Sequence, residues 1–162
     1  MTTWQIARSF VFPVIVLILV PWGIHAWLEP LSFKPDFAFL AGMLMLLTGL
    51  SFLAWTNVLF VVYGEGTLAI WDKTKKLVVL GPYRYVRNPM ILGAITALWG
   101  ETLIFNSVYV FAWSLLFWGI NHLYFIYKEE PDLEKQFGEV YVRYKQQVPR
   151  WFPLAEPVRF DP

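Results

Sequence analysis

The sequence predicts an all-α, polytopic membrane protein: four transmembrane helices followed by an amphipathic helix on the cytoplasmic side. Three observations predict it. Hydrophobic residues make up 57% of the 162 residues and charged residues 15%, with mean hydropathy +0.50; soluble domains are nearer half apolar and about a quarter charged. The acids and bases are missing from several long stretches. Twelve of the thirteen Lys and Arg fall in segments that those stretches would place on one side of a bilayer. The length accommodates one domain, read as residues 1–162.

The first span is read as 9–28. Ser9 to Leu28 carries no charge and Glu29 closes it, leaving about 20 residues, one bilayer crossing. The run exceeds a signal-peptide core, and Trp27, Leu28 and Glu29 make a poor cleavage site, so the segment is kept as a span. The second span is 37–62, inside the charge-free stretch Phe37 to Gly64, long enough to cross with tilt. The third, 89–104, is the shortest. Asn88 is placed to cap it, Pro89 suits its first turn, and Glu101 interrupts it near the far end. Asn106 and Ser107 read as a tight turn into the antiparallel fourth span, 108–127. That span carries Asn121 and His122, which at membrane depth should face protein or a water-filled cleft.

Beyond it, Pro131 is expected to start a new helical turn. Leu133, Phe137, Val140, Tyr141, Tyr144 and Val148 recur at three- and four-residue spacing, so 132–147 reads as an amphipathic helix that lies on the bilayer or caps the spans. Pro149-Arg150-Trp151-Phe152-Pro153 then reads as an extended, interface-seeking segment. For orientation, Lys34 stands alone in the first outer loop, while Arg8, the 63–88 loop and the 128–162 tail hold the other bases. Both termini are therefore expected in the cytoplasm.

Composition also excludes. The chain is too apolar for intrinsic disorder. A net charge of +1 gives no nucleic-acid footprint. With no Cys there is no disulfide, thiolate nucleophile or Cys-based metal site, and two His are too few for a His-rich one; no metal is expected. The first two spans carry almost none of the ionisable residues that line transport paths, so chemistry belongs in the 63–88 loop and the tail. There, Gly64 and Gly66 flank Glu65, as a flexible turn or as a close backbone approach to a ligand. Arg87 lies beside a helix N-terminus that favours anions, either as a juxtamembrane charge or as an anion-binding group. Glu129 and Glu130 sit together at a helix end where the dipole disfavours them, and require a cation: a loop Arg or Lys, or a cationic ligand.

Taken together, Gly64-Glu65-Gly66-Thr67, Gly81-Pro82-Tyr83-Arg84-Tyr85-Val86-Arg87-Asn88-Pro89-Met90-Ile91-Leu92-Gly93, Glu129-Glu130-Pro131-Asp132-Leu133 and the Phe137–Arg150 tail resemble the isoprenylcysteine carboxyl methyltransferase family. That family lies within a wider group that includes phospholipid methyltransferases. The resemblance covers roughly residues 60–153, and its similarity is to bacterial and archaeal members. It implies an enzyme of the prokaryotic inner membrane that uses S-adenosylmethionine and a lipophilic acceptor entering between spans three and four. It implies cofactor contacts at Gly64, Gly66, Tyr83, Arg87, Asn88, Gly93, His122, Glu129 and Glu130. The cofactor's ammonium suits Glu129 or Glu130, its carboxylate Arg87, and its sulfonium the faces of Tyr83, Tyr85 or Trp151. Arg87, Arg143 and Arg150 are the candidate catalytic residues, the last two as holders of an anionic head group or as plain lipid-phosphate contacts. Asn88 stands where many relatives have His, and Ile91 where Tyr is common. Carboxyl O-methylation is the family-level expectation, with phospholipid N-methylation or thiol methylation as alternatives. A membrane reductase or a non-catalytic partner is the reading outside that class.

Overall fold

The computed structural model describes residues 12–29, 34–64 and 75–160. Arg8, Gly66 and Lys73, and the first residues of the first span, lie outside the described residues. Those described form helices and irregular segments, with no strand among them. The helices are α1 (Phe12–Trp27), α2 (Phe37–Gly64), α3 (Pro89–Phe105), α4 (Val108–Phe137) and α5 (Glu139–Gln147). Among the described residues, α2 and α4 are the helices long and apolar enough to cross a membrane unaided, and α1 and α3 are shorter apolar helices. Just 11% of the most apolar stretch of α2 and 22% of that of α4 is buried. A core helix of a soluble protein would be covered, so these faces suit lipid.

Local chemistry sets the ends. Asp36 Oδ1 accepts from Phe39 N at 3.0 Å and opens α2. Asn88 and Pro89 open α3 as expected in position, but the Asn88 side chain makes no capping bond. Asn106 takes the left-handed conformation (φ 49°) that ends α3, and Ser107 Oγ accepts from Val110 N at 3.1 Å to open α4. The same hydroxyl donates to Glu29 Oε2 at 2.5 Å and so ties the turn to the end of α1.

The two helices with internal prolines share a device. A π turn, Ile15–Leu19, precedes Pro21, and another, Phe125–Glu129, precedes Pro131. A helical proline has no N–H, and its ring clashes with the carbonyl four residues back; widening the preceding turn accommodates both. Pro131 therefore does not begin a separate helix, contrary to the sequence expectation, and α4 continues to Phe137. Gly138, at φ 57°, is the break instead, so the helix expected over 132–147 is divided between α4 and α5.

At Pro21 the device has a consequence. Val20 N bonds to Ile15 O in the π pattern, so the next donor in register for Val16 O would be Pro21, which has none. Trp113 Nε1 on α4 donates to Val16 O instead, at 3.1 Å. Val16 is buried, so Trp113→Phe should orphan that carbonyl and cost about 1–3 kcal/mol. Thermal unfolding in detergent should show a lowered midpoint, and an unchanged midpoint would remove this role from Trp113.

α2 and α3 pack antiparallel through glycines seven residues apart on each helix. Gly42 faces Gly100 and Gly49 faces Gly93, close enough that a Cβ on any of them would fall 3.0 Å or less from backbone atoms of the other helix. Small residues that admit such backbone approach are the usual basis of helix association in lipid. Ala94, Ala97 and Leu98 of α3, Leu53 of α2, Val16 of α1 and Phe117 of α4 complete the core. α5 buries Tyr141 and Tyr144 with Val148 against Leu77, Val79, Val158 and Phe160. Its apolar face covers protein.

Candidate functional site

The segment Gly81–Asn88 is the centre of the site, and its backbone is fixed from both directions. Gly81 adopts φ 53°, which admits the one-turn 3₁₀ helix Gly81–Arg84. Tyr144 of α5 donates its hydroxyl to Tyr83 O at 2.8 Å. The tail then pairs with this segment: Arg87 N donates to Pro149 O at 2.9 Å, Leu154 N to Tyr85 O at 3.0 Å, and Val158 N to Arg84 O at 3.0 Å. Those bonds carry Arg150 and Trp151 over the end of α4.

Glu130 sits beneath them, its side chain only 6% exposed. Arg150 donates to it in a fork, Nε to Oε1 at 2.6 Å and Nη2 to Oε2 at 2.9 Å, the strongest geometry for a guanidinium–carboxylate pair. Arg87 Nη1 approaches Oε1 at 2.8 Å, and Lys145 Nζ lies 3.8 Å from Oε2 while pairing with Glu134. The hydrogen bond to Glu130 raises the Arg150 guanidinium above its ordinary value. Burial comes first in raising Tyr141, to about 12, with the Glu130 charge second. Burial likewise raises Tyr83 and Tyr144 far above the ordinary phenol range. All three phenols stay neutral; Tyr83 and Tyr144 donate, and Tyr141 accepts from the Arg87 guanidinium.

Two features of this nest suit a zwitterionic ligand. Arg87 Nε is buried and finds no hydrogen-bond acceptor among the described residues, while Nη1 meets the Glu130 carboxylate at 2.8 Å. Two guanidiniums against one carboxylate also leave positive charge for an anionic group. Glu129, half-buried next door, forms no ion pair among the described residues. An ammonium has a partner there and a carboxylate has one at Arg87, so these residues fit the amino-acid end of S-adenosylmethionine.

The structure therefore separates the sequence candidates. Arg87, Arg150, Glu129 and Glu130 come together. Glu130 takes the loop-arginine partner, so the two glutamates are not equivalent. His122 Nδ1 accepts from Trp151 Nε1 at 2.9 Å, and its ring stacks on Trp118 at 5.3 Å; it anchors the tail tryptophan. The Tyr83 hydroxyl donates to Thr56 O at 3.5 Å, inside the core. Gly64 O accepts from Lys75 N at 2.9 Å and from Lys76 N at 3.2 Å, where the loop returns to α2. Gly93 is enclosed in the α2–α3 contact, and packing accounts for its lack of a side chain. Asn88 is half-buried beside Arg87, and Arg143 is exposed on α5 and is not among the ion pairs of the described residues. Sequence reasoning missed Lys145 and the buried pair Tyr141 and Tyr144, which spacing marks only as an apolar face.

Comparison with known proteins identifies the family. The model of the phospholipid methyltransferase family matches residues 37–140, from the start of α2 to the first residues of α5. Phosphatidylethanolamine N-methyltransferase 1 of the yeast Vanderwaltozyma polyspora is 31% identical over 77 residues, which are 47% of this chain. The match covers 9% of that protein, so the chain corresponds to a small part of its relative's length. No solved structure matches. The family match covers well over half of the chain and takes in Arg87, Glu129 and Glu130: the chain belongs to the phospholipid methyltransferase family.

Proposed function

We propose that this chain is an S-adenosylmethionine-dependent methyltransferase acting on the amine of a membrane phospholipid. The observation that carries the donor half is the nest itself: Arg87, with a buried unused donor, meets Glu130 beside the Arg150–Glu130 fork, and the neighbouring Glu129 has no ion-pair partner among the described residues. The acceptor half rests on the relative whose name specifies phosphatidylethanolamine N-methylation, which displaces carboxyl O-methylation as the preferred reading. The cofactor supplies an activated methyl group by in-line displacement from sulfur. The chain has to bind, align and keep water out, for which orientation alone can supply about 7–11 kcal/mol. Arg87 would hold the donor's carboxylate, Glu129 its ammonium, and Trp151, fixed by His122, would present an aromatic face to the sulfonium. In this reading α1 to α4 all cross the bilayer, α3 largely covered by its neighbours and α1 presenting much of its apolar surface to lipid, with the site and both termini on the base-rich cytoplasmic side.

The test uses detergent-purified protein, methyl-labelled cofactor and phosphatidylethanolamine vesicles. Label should enter the lipid and stay non-volatile after mild base, on the deacylated head group, since an N-methyl group is stable where a carboxyl methyl ester releases volatile methanol. Label that enters only a prenylcysteine acid offered in place of the phospholipid, and leaves it as methanol in base, would restore carboxyl O-methylation, and no label in either acceptor would remove the activity. Glu129→Gln should weaken S-adenosylhomocysteine binding by about tenfold or more, measured by calorimetry, if the ammonium role is right.

A further inference from the structure

The Gly81–Asn88 segment has a second side. Away from the nest, a cavity of about 430 Å³ is lined by Phe52 and Trp55 of α2, Pro82, Arg84, and Pro153 and Pro157 of the tail. A second cavity of about 290 Å³ adjoins it through Arg84, which lines both, and is also lined by Arg159 and Phe160. Neither lining contains a carboxylate. Arg84 is held in place: its Nε donates to Val158 O at 2.7 Å. Among the described residues no acid pairs with it or with Arg159. At the other end, Trp55 is half exposed, and Leu44, three turns back towards the start of α2 on the same face, is exposed as well.

We propose that this groove is a phospholipid seat, with the anionic phosphate of a head group at Arg84 and Arg159 and an acyl chain laid over Phe52 and Trp55. The charge and the apolar surface lie in the order a lipid presents them, phosphate beyond the chains. Two arginines and no acid among the lining residues favour a lipid of net negative charge over a zwitterionic one. Methyl-transfer chemistry plays no part in this seat, which stands or falls separately from the donor site.

The test uses the full chain labelled with 5-fluorotryptophan in detergent, with the Trp55 fluorine resonance assigned by its loss in Trp55→Phe. Titration with dihexanoylphosphatidylglycerol should shift that resonance to saturation. Arg159→Gln, at an exposed position, should weaken the apparent affinity about threefold, and Arg84→Gln about tenfold. Should Arg84→Gln fail to fold for want of its bond to Val158, Arg159→Gln still decides. A shift that never saturates, or that dihexanoylphosphatidylcholine and Arg159→Gln reproduce unchanged, overturns the proposal as simple partitioning. Saturation by inorganic phosphate with the same shift also overturns it, because the site would then bind an anion without a chain.

Discussion

Glu130→Gln is expected to lower the thermal midpoint by about 10 °C and to abolish S-adenosylhomocysteine binding with it, whereas Glu129→Gln weakens binding alone. The difference follows from where the charges sit. Glu130 is almost fully covered and pairs with two guanidiniums at once, Arg150 through two hydrogen bonds and Arg87 through an ionic contact. Removing its charge leaves Arg87 and Arg150 buried against each other, and breaking a buried pair in this way costs about 3–5 kcal/mol. For a chain of this length each kcal/mol is worth about 2–4 °C. Adding Arg150→Gln to Glu130→Gln should recover part of the loss, since the second change removes the excess charge; scanning fluorimetry of the wild type, both single variants and the double variant gives the coupling directly. A Glu130→Gln protein with wild-type midpoint would mean that Glu130 is free to bind a ligand and that the nest is not structural.

How far the sequence reveals this depends on the range of the interaction. Helix ends set by neighbours in the chain are legible: Pro89 opens α3, and Asn106 and Ser107 turn the chain into α4, because each depends on local dihedrals and one short hydrogen bond. The path of the helix past Pro131 is not. Whether a proline stops a helix or widens it depends on what else satisfies the freed carbonyls; at Pro21 that partner is Trp113, 97 residues from Val16. The family-like segments identify the Glu129–Glu130 pair, but not the division of labour within it. That division is made by Arg150, delivered by backbone bonds between the tail and residues 84–87, and no periodicity announces such bonds. Gly93 shows the converse. Its place in a family-like motif suggested the cofactor, while its surroundings are the backbone of α2.

Gly49→Leu is expected to separate α2 from α3 and to lower the midpoint by at least as much as Glu130→Gln. A Cβ on Gly49 would lie 2.5 Å from Ala97 N and 2.7 Å from Gly93 O. Both are backbone atoms of a helix, which cannot rotate aside as a side chain would, so the helices have to part. Overpacking of a well-packed core costs about 1–3 kcal/mol when neighbours can shift. Here they cannot, and the interface forced open is the one that holds the two helices together. Gly100→Leu meets the same obstacle at Leu46 N, 2.5 Å away. Gly119→Ala supplies the contrast: its Cβ would meet nothing within 4 Å, and replacing a mid-helix glycine should leave stability unchanged or raise it by up to about 1 kcal/mol. Equal midpoints for Gly49→Leu and Gly119→Ala would refute a glycine-mediated α2–α3 interface. If the interface holds, the effect reaches the site, because α3 begins at Pro89, two residues after Arg87, and α2 supplies the Thr56 carbonyl that receives Tyr83. Loss of donor binding should therefore accompany the loss of stability in Gly49→Leu, although the substitution touches no residue of the ionic nest.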